Sequence, residues 1–256
     1  MSENNTNRVQ AYLDSITYKF KIESNARIVN FGPITGIQFP QFLEQPWPRT
    51  FKYRWEFYVY EASPTEVFDS INAFFQGSSE EYVLNVFSPN LAVQIPAYKD
   101  LDYLHAWNNV LMELKLSPSS AKITPNPLVT IKSVESLQDV AMINALEPDF
   151  LSSTRGLQDE HIHNLMAFFQ NEISAKAQII TLDQRYAFLA DMFTHPDFRR
   201  KGISIRLLEE MHSIAKQQGA SHALLVPSRM TREIELYQKF HYREVLPIAL
   251  LVPPKR

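Results

Sequence analysis

Thr194-His195-Pro196-Asp197-Phe198-Arg199-Arg200-Lys201-Gly202-Ile203-Ser204 is the stretch on which the reading of this chain turns. The residues before it, Tyr186 to Thr194, read as a strand. Those after it, Ile203 to Gln218, read as a helix. Leu207, Leu208, Met211, Ile214 and Ala215 share one face of that helix, and Gly219 is its stop. A helix start carries unpaired N–H groups and the positive end of the helix dipole, and so binds phosphate directly. Gly202 has no Cβ to keep a pyrophosphate from the backbone. Arg199, Arg200 and Lys201 add positive charge. The glycine spacing of a P-loop is absent, as is the Rossmann glycine triplet. Taken alone, the stretch also suits an ordinary strand-to-helix turn with exposed basic residues.

The neighbouring segments supply a context. Downstream, Ala223 to Val226 reads as a short buried strand, Thr231 to Phe240 as a helix and Val245 to Val252 as a final strand. Upstream, Leu128 to Val134 is a strand, and Ser136-Leu137-Gln138-Asp139 opens a helix through about Leu146. Ile162 to Phe169 and Ala175 to Leu182 are strands around a turn at Gln170-Asn171-Glu172, and Asp183-Gln184-Arg185 is the next turn.

Further upstream, Ser117 to Pro127 contains Pro118, Pro125 and Pro127 among small polar residues, which disfavours helix and strand interiors. It reads as a linker between domains at 1–122 and 123–256. In the first domain, a polar, frayed Met1–Arg8 leads into a helix over Asn7 to Phe20. Strands follow at Ala26 to Phe31 and Phe51 to Tyr60. Ser63-Pro64-Thr65-Glu66 starts a helix lined by Phe68, Ile71, Phe74 and Phe75 and stopped by Gly77. Tyr82 to Phe87 is a strand, and Tyr103 to Leu116 is a further apolar run around Trp107.

Composition narrows the function. Hydrophobic residues make up 45% and aromatics 12% of 256 residues, enough to build a core without staples. The absence of cysteine excludes disulfides, thiolate metal sites and cysteine nucleophiles. Acidic side chains match or outnumber basic ones on both sides of residue 126 and the net charge is −3, which argues against a nucleic-acid partner. No apolar run is long enough to span a membrane, and the polar start lacks the character of a secretory signal, so a cytoplasmic protein is expected. His161 and His163 share a strand face, but two histidines without a third ligand predict no metal site.

Two motifs carry a resemblance. Leu189-x-x-Met192-x-Thr194-x-Pro196-x-Phe198-Arg199-x-Lys201-Gly202-Ile203-Ser204 resembles the acetyl-CoA signature of the GNAT N-acetyltransferase superfamily. Leu236-Tyr237-Gln238-Lys239-Phe240-His241-Tyr242 is similar to that family's Leu-Tyr-Glu-Lys-x-Gly-Phe segment. The resemblance covers about residues 128–256 and departs at Ser204, at His241 and at the family's asparagine, where Ser228 or Met230 stands. It implies a mixed α/β (α+β) GNAT acyl-CoA N-acyltransferase fold, with a smaller α+β GNAT-like unit before it. The first half shows a strand-helix-strand-helix-strand order from Trp55 to Leu116 but no phosphate turn before Ser63, as in a degenerate unit of a tandem protein.

The resemblance also implies a function: transfer of an acetyl group from acetyl-CoA to a small-molecule or peptide amine. The backbone of Met192, Phe193 and Thr194 would pair with the pantetheine arm, and Arg199 to Ser204, Ile203 included, would hold the pyrophosphate. Tyr237 matches the family tyrosine that protonates the departing thiolate; the plain alternative is a packed helix aromatic. Asp191 and His195 are candidate bases, set against a strand-end hydrogen bonder and a solvated turn residue. A CoA-binding regulatory or sensory protein without catalysis remains the alternative.

Overall fold

The computed structural model describes residues 2–76, 80–116, 126–146, 153–182, 184–227 and 232–254. The chain divides into two compact units, residues 1–112 with 226–256 and residues 113–225. In chain order the elements are α1 (Ser2–Ser24), β1 (Arg27–Phe31), β2 (Ile34–Gln45), β3 (Phe51–Tyr60), α2 (Pro64–Phe75), β4 (Tyr82–Phe87), α3 (Leu91–Lys99) and β5 (Leu104–Lys115). There follow β6 (Val129–Ser133), α4 (Leu137–Leu146), β7 (Ile162–Phe169), β8 (Glu172–Ile180), β9 (Tyr186–Thr194), α5 (Ile203–Gln217) and β10 (His222–Leu225). The last elements are α6 (Arg232–Lys239) and β11 (Arg243–Val252).

The first unit orders its strands β1-β2-β3-β4-β11-β5. β1, β2 and β3 form an antiparallel meander. β4 then lies parallel to β3, the crossover being α2, and β11 runs antiparallel to β4. Trp55, Phe57, Val67, Ile71 and Leu84 form a buried cluster joined by Ala249 and Leu251 of β11. Most of the aromatics are therefore core, with Phe31 stacked on Phe74 at 4.2 Å. Trp47 and Trp107 are exposed instead.

Three details in this unit differ from the sequence expectation. Helix α1 already begins at Ser2, so the run to Arg8 is helical rather than frayed; the Arg8 guanidinium donates to Asn5 one turn back at 3.2 Å. The sequence pattern predicts neither β2 nor α3, because Pro40 interrupts the one and Pro96 the other. Ser63 caps α2 as expected, its Oγ accepting from the Glu66 N–H at 3.2 Å. Gln76, at φ 50°, follows the end of α2, and Gly77 lies outside the described residues.

The second unit orders its strands β10-β9-β8-β7-β6. β6 to β9 are antiparallel neighbours. Gln170 and Asn171, both at positive φ, make the two-residue turn of the β7–β8 hairpin. Asp139 closes a capping box at the start of α4: its N–H donates to Ser136 Oγ at 3.1 Å, and its carboxylate accepts from Ser136 N–H and from Lys132 Nζ. Lys132 and Ser136 hold that carboxyl down to about 2. Val140 and Ile143 of α4 pack on Met166.

Helix α5 buries Ile203, Leu207, Leu208, Met211 and Ala215. It ends at Gly219, φ 90°, with the Ala220 N–H returning to Ala215 O at 2.9 Å, the closing bond of a Schellman motif. The linker predicted at Ser117–Pro127 lies outside the described residues, apart from Asn126 and Pro127. Residues 113–122 group with the second unit and 226–256 with the first.

Candidate functional site

Strand β9 changes character halfway along. Toward β8 its register slips between Ala190 and Phe193, where Asp191 and Met192 stand against the single Ala177. Asp191 takes φ 50°, the left-handed region, which Asp and Asn tolerate better than other side chains. This is a β-bulge, a device that re-aims backbone groups. Toward β10 the pairing is parallel and runs from Tyr186–His222 to Leu189–Leu225, where β10 ends. Ala190 to Thr194 continue past it, leaving Met192, Phe193 and Thr194 on a half-buried overhang.

The turn beyond β9 is built in three steps. His195 caps a 3₁₀ turn at Pro196–Phe198, its Nδ1 accepting from the Asp197 N–H at 3.4 Å. Arg199 Nε donates to Thr194 O at 3.2 Å, which ties the turn to the strand end. Arg200 and Gly202 then both adopt left-handed conformations, φ 63° and φ 78°. Gly202 is the N-cap of α5 and offers no side chain to the first N–H groups of the helix. A buried Ile203 anchors the helix start, with Ser204 half-buried beside it.

Lys201 is held on two sides. Its ammonium lies 4.8 Å from the Phe169 ring centre and 4.9 Å from that of Phe198. Its carbonyl accepts from Asn126 Nδ2 at 2.8 Å. Sequence reasoning missed Asn126 and Phe169: Asn126 sits in a linker-like stretch, and nothing local sets Phe169 apart from other strand aromatics. Arg200 is exposed and makes no hydrogen bond or ion pair with the described residues.

The site residues expected from the sequence fall into two groups. Asp191 to Thr194 and Arg199 to Ser204 come together at the end of β9 and the start of α5, all in the second unit. Tyr237 lies on α6 in the first unit, buried and edge-on to Tyr242 at 5.7 Å. Burial pushes its phenol well above the usual tyrosine value, and Glu233 adds to the push, so the hydroxyl keeps its proton. Ser228 and Met230, which stand where the resembled family has its asparagine, lie outside the described residues.

His161 and His163 both bond Thr181, the first to its carbonyl at 3.0 Å and the second to its hydroxyl at 3.1 Å. Burial lowers the His163 pKa, with His161 adding to the effect and Asp159 opposing it. Among the described residues no cluster of three candidate metal ligands occurs.

The first unit contrasts with this arrangement. β3 and β4 end flush at Tyr60–Phe87, with no overhang. α2 begins with a serine cap and a proline, which has no N–H, and has Glu66 in its first turn.

An antiparallel run of strands, a parallel partner ending short of its neighbour and a helix whose cap is a glycine make a mixed α/β fold with an open strand end beside a helix start. Residues 132–242 match the model of the acetyltransferase (GNAT) family. The chain therefore carries a GNAT-family domain over those residues. A solved GCN5-related N-acetyltransferase from Kribbella flavida is similar at a TM-score of 0.67 and 16% identity, over 96% of this chain and 95% of its own. One from Sphaerobacter thermophilus is similar at 0.59 and 13%, over 87% of this chain and 78% of its own. At such identities the likeness shows the fold. No curated protein sequence matches the chain. Among the described residues no helix is long and apolar enough to cross a membrane.

Proposed function

We propose that the chain is an acetyl-CoA-dependent N-acyltransferase acting on a small-molecule or peptide amine, with residues 123–256 as its catalytic domain and residues 1–122 as a GNAT-like domain that binds no CoA. The observation that carries this reading is the pairing of the β9 overhang with the uncapped start of α5 at Gly202. An extended pantetheine arm suits the first, as an added strand. A pyrophosphate suits the second, where N–H groups and the helix dipole meet the charge of Arg199 and Arg200.

Bound acetyl-CoA would supply an activated thioester acyl group; the chain's own residues do the rest. Backbone N–H groups re-aimed by the bulge at Asp191–Met192 stabilise negative charge developing on the acyl oxygen. Asp191, exposed beside them, accepts the amine proton directly or through water. Tyr237 holds the proton that a departing thiolate needs. Its assignment rests on the Leu236-Tyr237-Gln238-Lys239 motif. The likeness of the two halves supports a tandem origin: each has an antiparallel meander followed by a parallel strand pair with a helix crossover. The charge balance fits a chain without a nucleic-acid partner, and the absence of cysteine fits a cytoplasmic setting.

One observation favours a second reading, CoA binding without catalysis. The left-handed Asp191 is accounted for by the bulge alone, so its carboxylate is not required to be a base. An amine panel assayed with acetyl-CoA for release of free thiol separates the two. Amine-dependent thiol release supports the enzyme. CoA binding with no release across primary amines and peptide N-termini supports the regulatory reading.

A further inference from the structure

Three basic residues precede Gly202, and the structure gives them different work. The Lys201 ammonium sits against Phe169 and Phe198, whose ring centres are 6.3 Å apart. A cation held by two ring faces is attracted by both. The Lys201 carbonyl is held by Asn126 Nδ2. The Asn126 amide is fixed in turn: its Oδ1 accepts from the Leu128 N–H at 3.0 Å, and its carbonyl accepts from the Val129 N–H at 3.0 Å. Its Cβ stands 3.7 Å from where a Cβ on Gly202 would be. Lys201 also lies between two left-handed residues, Arg200 and Gly202. A backbone held in sparsely populated conformations persists only where its surroundings impose them.

We infer that Lys201 and Asn126 are positioning residues. Together with Phe169 and Phe198 they latch the turn so that Gly202 and the first N–H groups of α5 are already set for a pyrophosphate. Direct side-chain charge on the phosphates falls to Arg199 and Arg200, which the protein leaves exposed. This inference rests on the proposed CoA reading, and pre-organisation of this kind raises affinity by lowering the ordering cost of binding.

The test is calorimetric titration of CoA into the full chain at low and high salt, with a melting curve recorded for each variant. The variants are Lys201→Met, Phe169→Leu, Asn126→Ala, Arg200→Met and the Lys201→Met/Phe169→Leu pair. Each latch variant is expected to weaken CoA by roughly three- to thirtyfold. The double variant is expected to bind no worse than the weaker single one, because both changes remove the same contact. Lys201→Met should keep the salt dependence of the unaltered chain, and Arg200→Met should flatten it. If Lys201→Met flattens the salt dependence like Arg200→Met, while Phe169→Leu and Asn126→Ala bind like the unaltered chain, Lys201 is a phosphate ligand and the latch is wrong. Should Phe169→Leu fail to fold, Asn126→Ala decides alone, because it leaves both rings in place. A folded, unaltered chain that does not bind CoA overturns the CoA reading itself, a separate outcome.

Discussion

Leu189 on β9 faces Leu225 on β10, and that pair is the last of their parallel register. Ala190 to Thr194 continue beyond it and carry the bulge at Asp191. The equivalent pair in the first unit, Tyr60 and Phe87, ends its two strands together. The two halves of the chain thus share a strand order and differ at the point where an extended ligand would lie.

Tyr237→Phe tests the proton donor. The change keeps the ring that packs on Tyr242 and removes only the hydroxyl. Positioned acid catalysis is worth ~10²–10⁴-fold. Turnover on an accepted amine should fall by at least about tenfold with CoA affinity unchanged. Normal turnover assigns Tyr237 to packing.

His241 stands at φ 65°, just past the end of α6, where the resembled motif has glycine. A non-glycine residue in the left-handed region costs roughly 1 kcal/mol. His241→Gly is therefore expected to raise stability by up to about 1 kcal/mol, less the extra entropy of the unfolded chain. A urea midpoint at or below that of the unaltered chain would contradict this.

Stability should fall in mild acid through His212. It is buried in α5, and desolvation, followed by the neighbouring Lys216, pushes its pKa down to about 4. The unfolded histidine protonates near 6.5, so between pH 6.5 and 4 the unfolded state binds the extra proton. The stability contributed by neutral His212 is present above pH 6.5 and is lost as pH falls to 4, by at most about 3 kcal/mol. Urea midpoints of the unaltered chain and of His212→Gln, measured across that range, should converge as pH falls. Parallel curves would show that another group carries the acid sensitivity.

Local signals made much of this legible in the sequence. Hydrophobic periodicity placed α5, and punctuation by Gly202 and Gly219 placed its ends to within a residue. Ser63 with Pro64, and Ser136 with Asp139, marked two helix starts that the structure forms through the expected caps. Other features depend on partners distant in sequence. That β11 buries Ala249 and Leu251 in the core of the first unit follows from strand pairing, which no local pattern encodes. The bulge at Asp191 is one residue in an unusual conformation and has no period. Asn126 reaches Lys201 across 75 positions of sequence, from a stretch whose prolines point only to a loop.

Whether the start of α5 holds the pyrophosphate of CoA is decided by calorimetric titration of CoA into the unaltered chain, Gly202→Asn and Gly202→Glu. Asparagine tolerates the φ of 78° and controls for backbone strain, while glutamate adds bulk and a negative charge at the anion site. A pyrophosphate site there gives saturable binding by the unaltered chain, weaker binding by Gly202→Asn and none by Gly202→Glu, with all three folded. Equal CoA affinity in Gly202→Glu and the unaltered chain would contradict it.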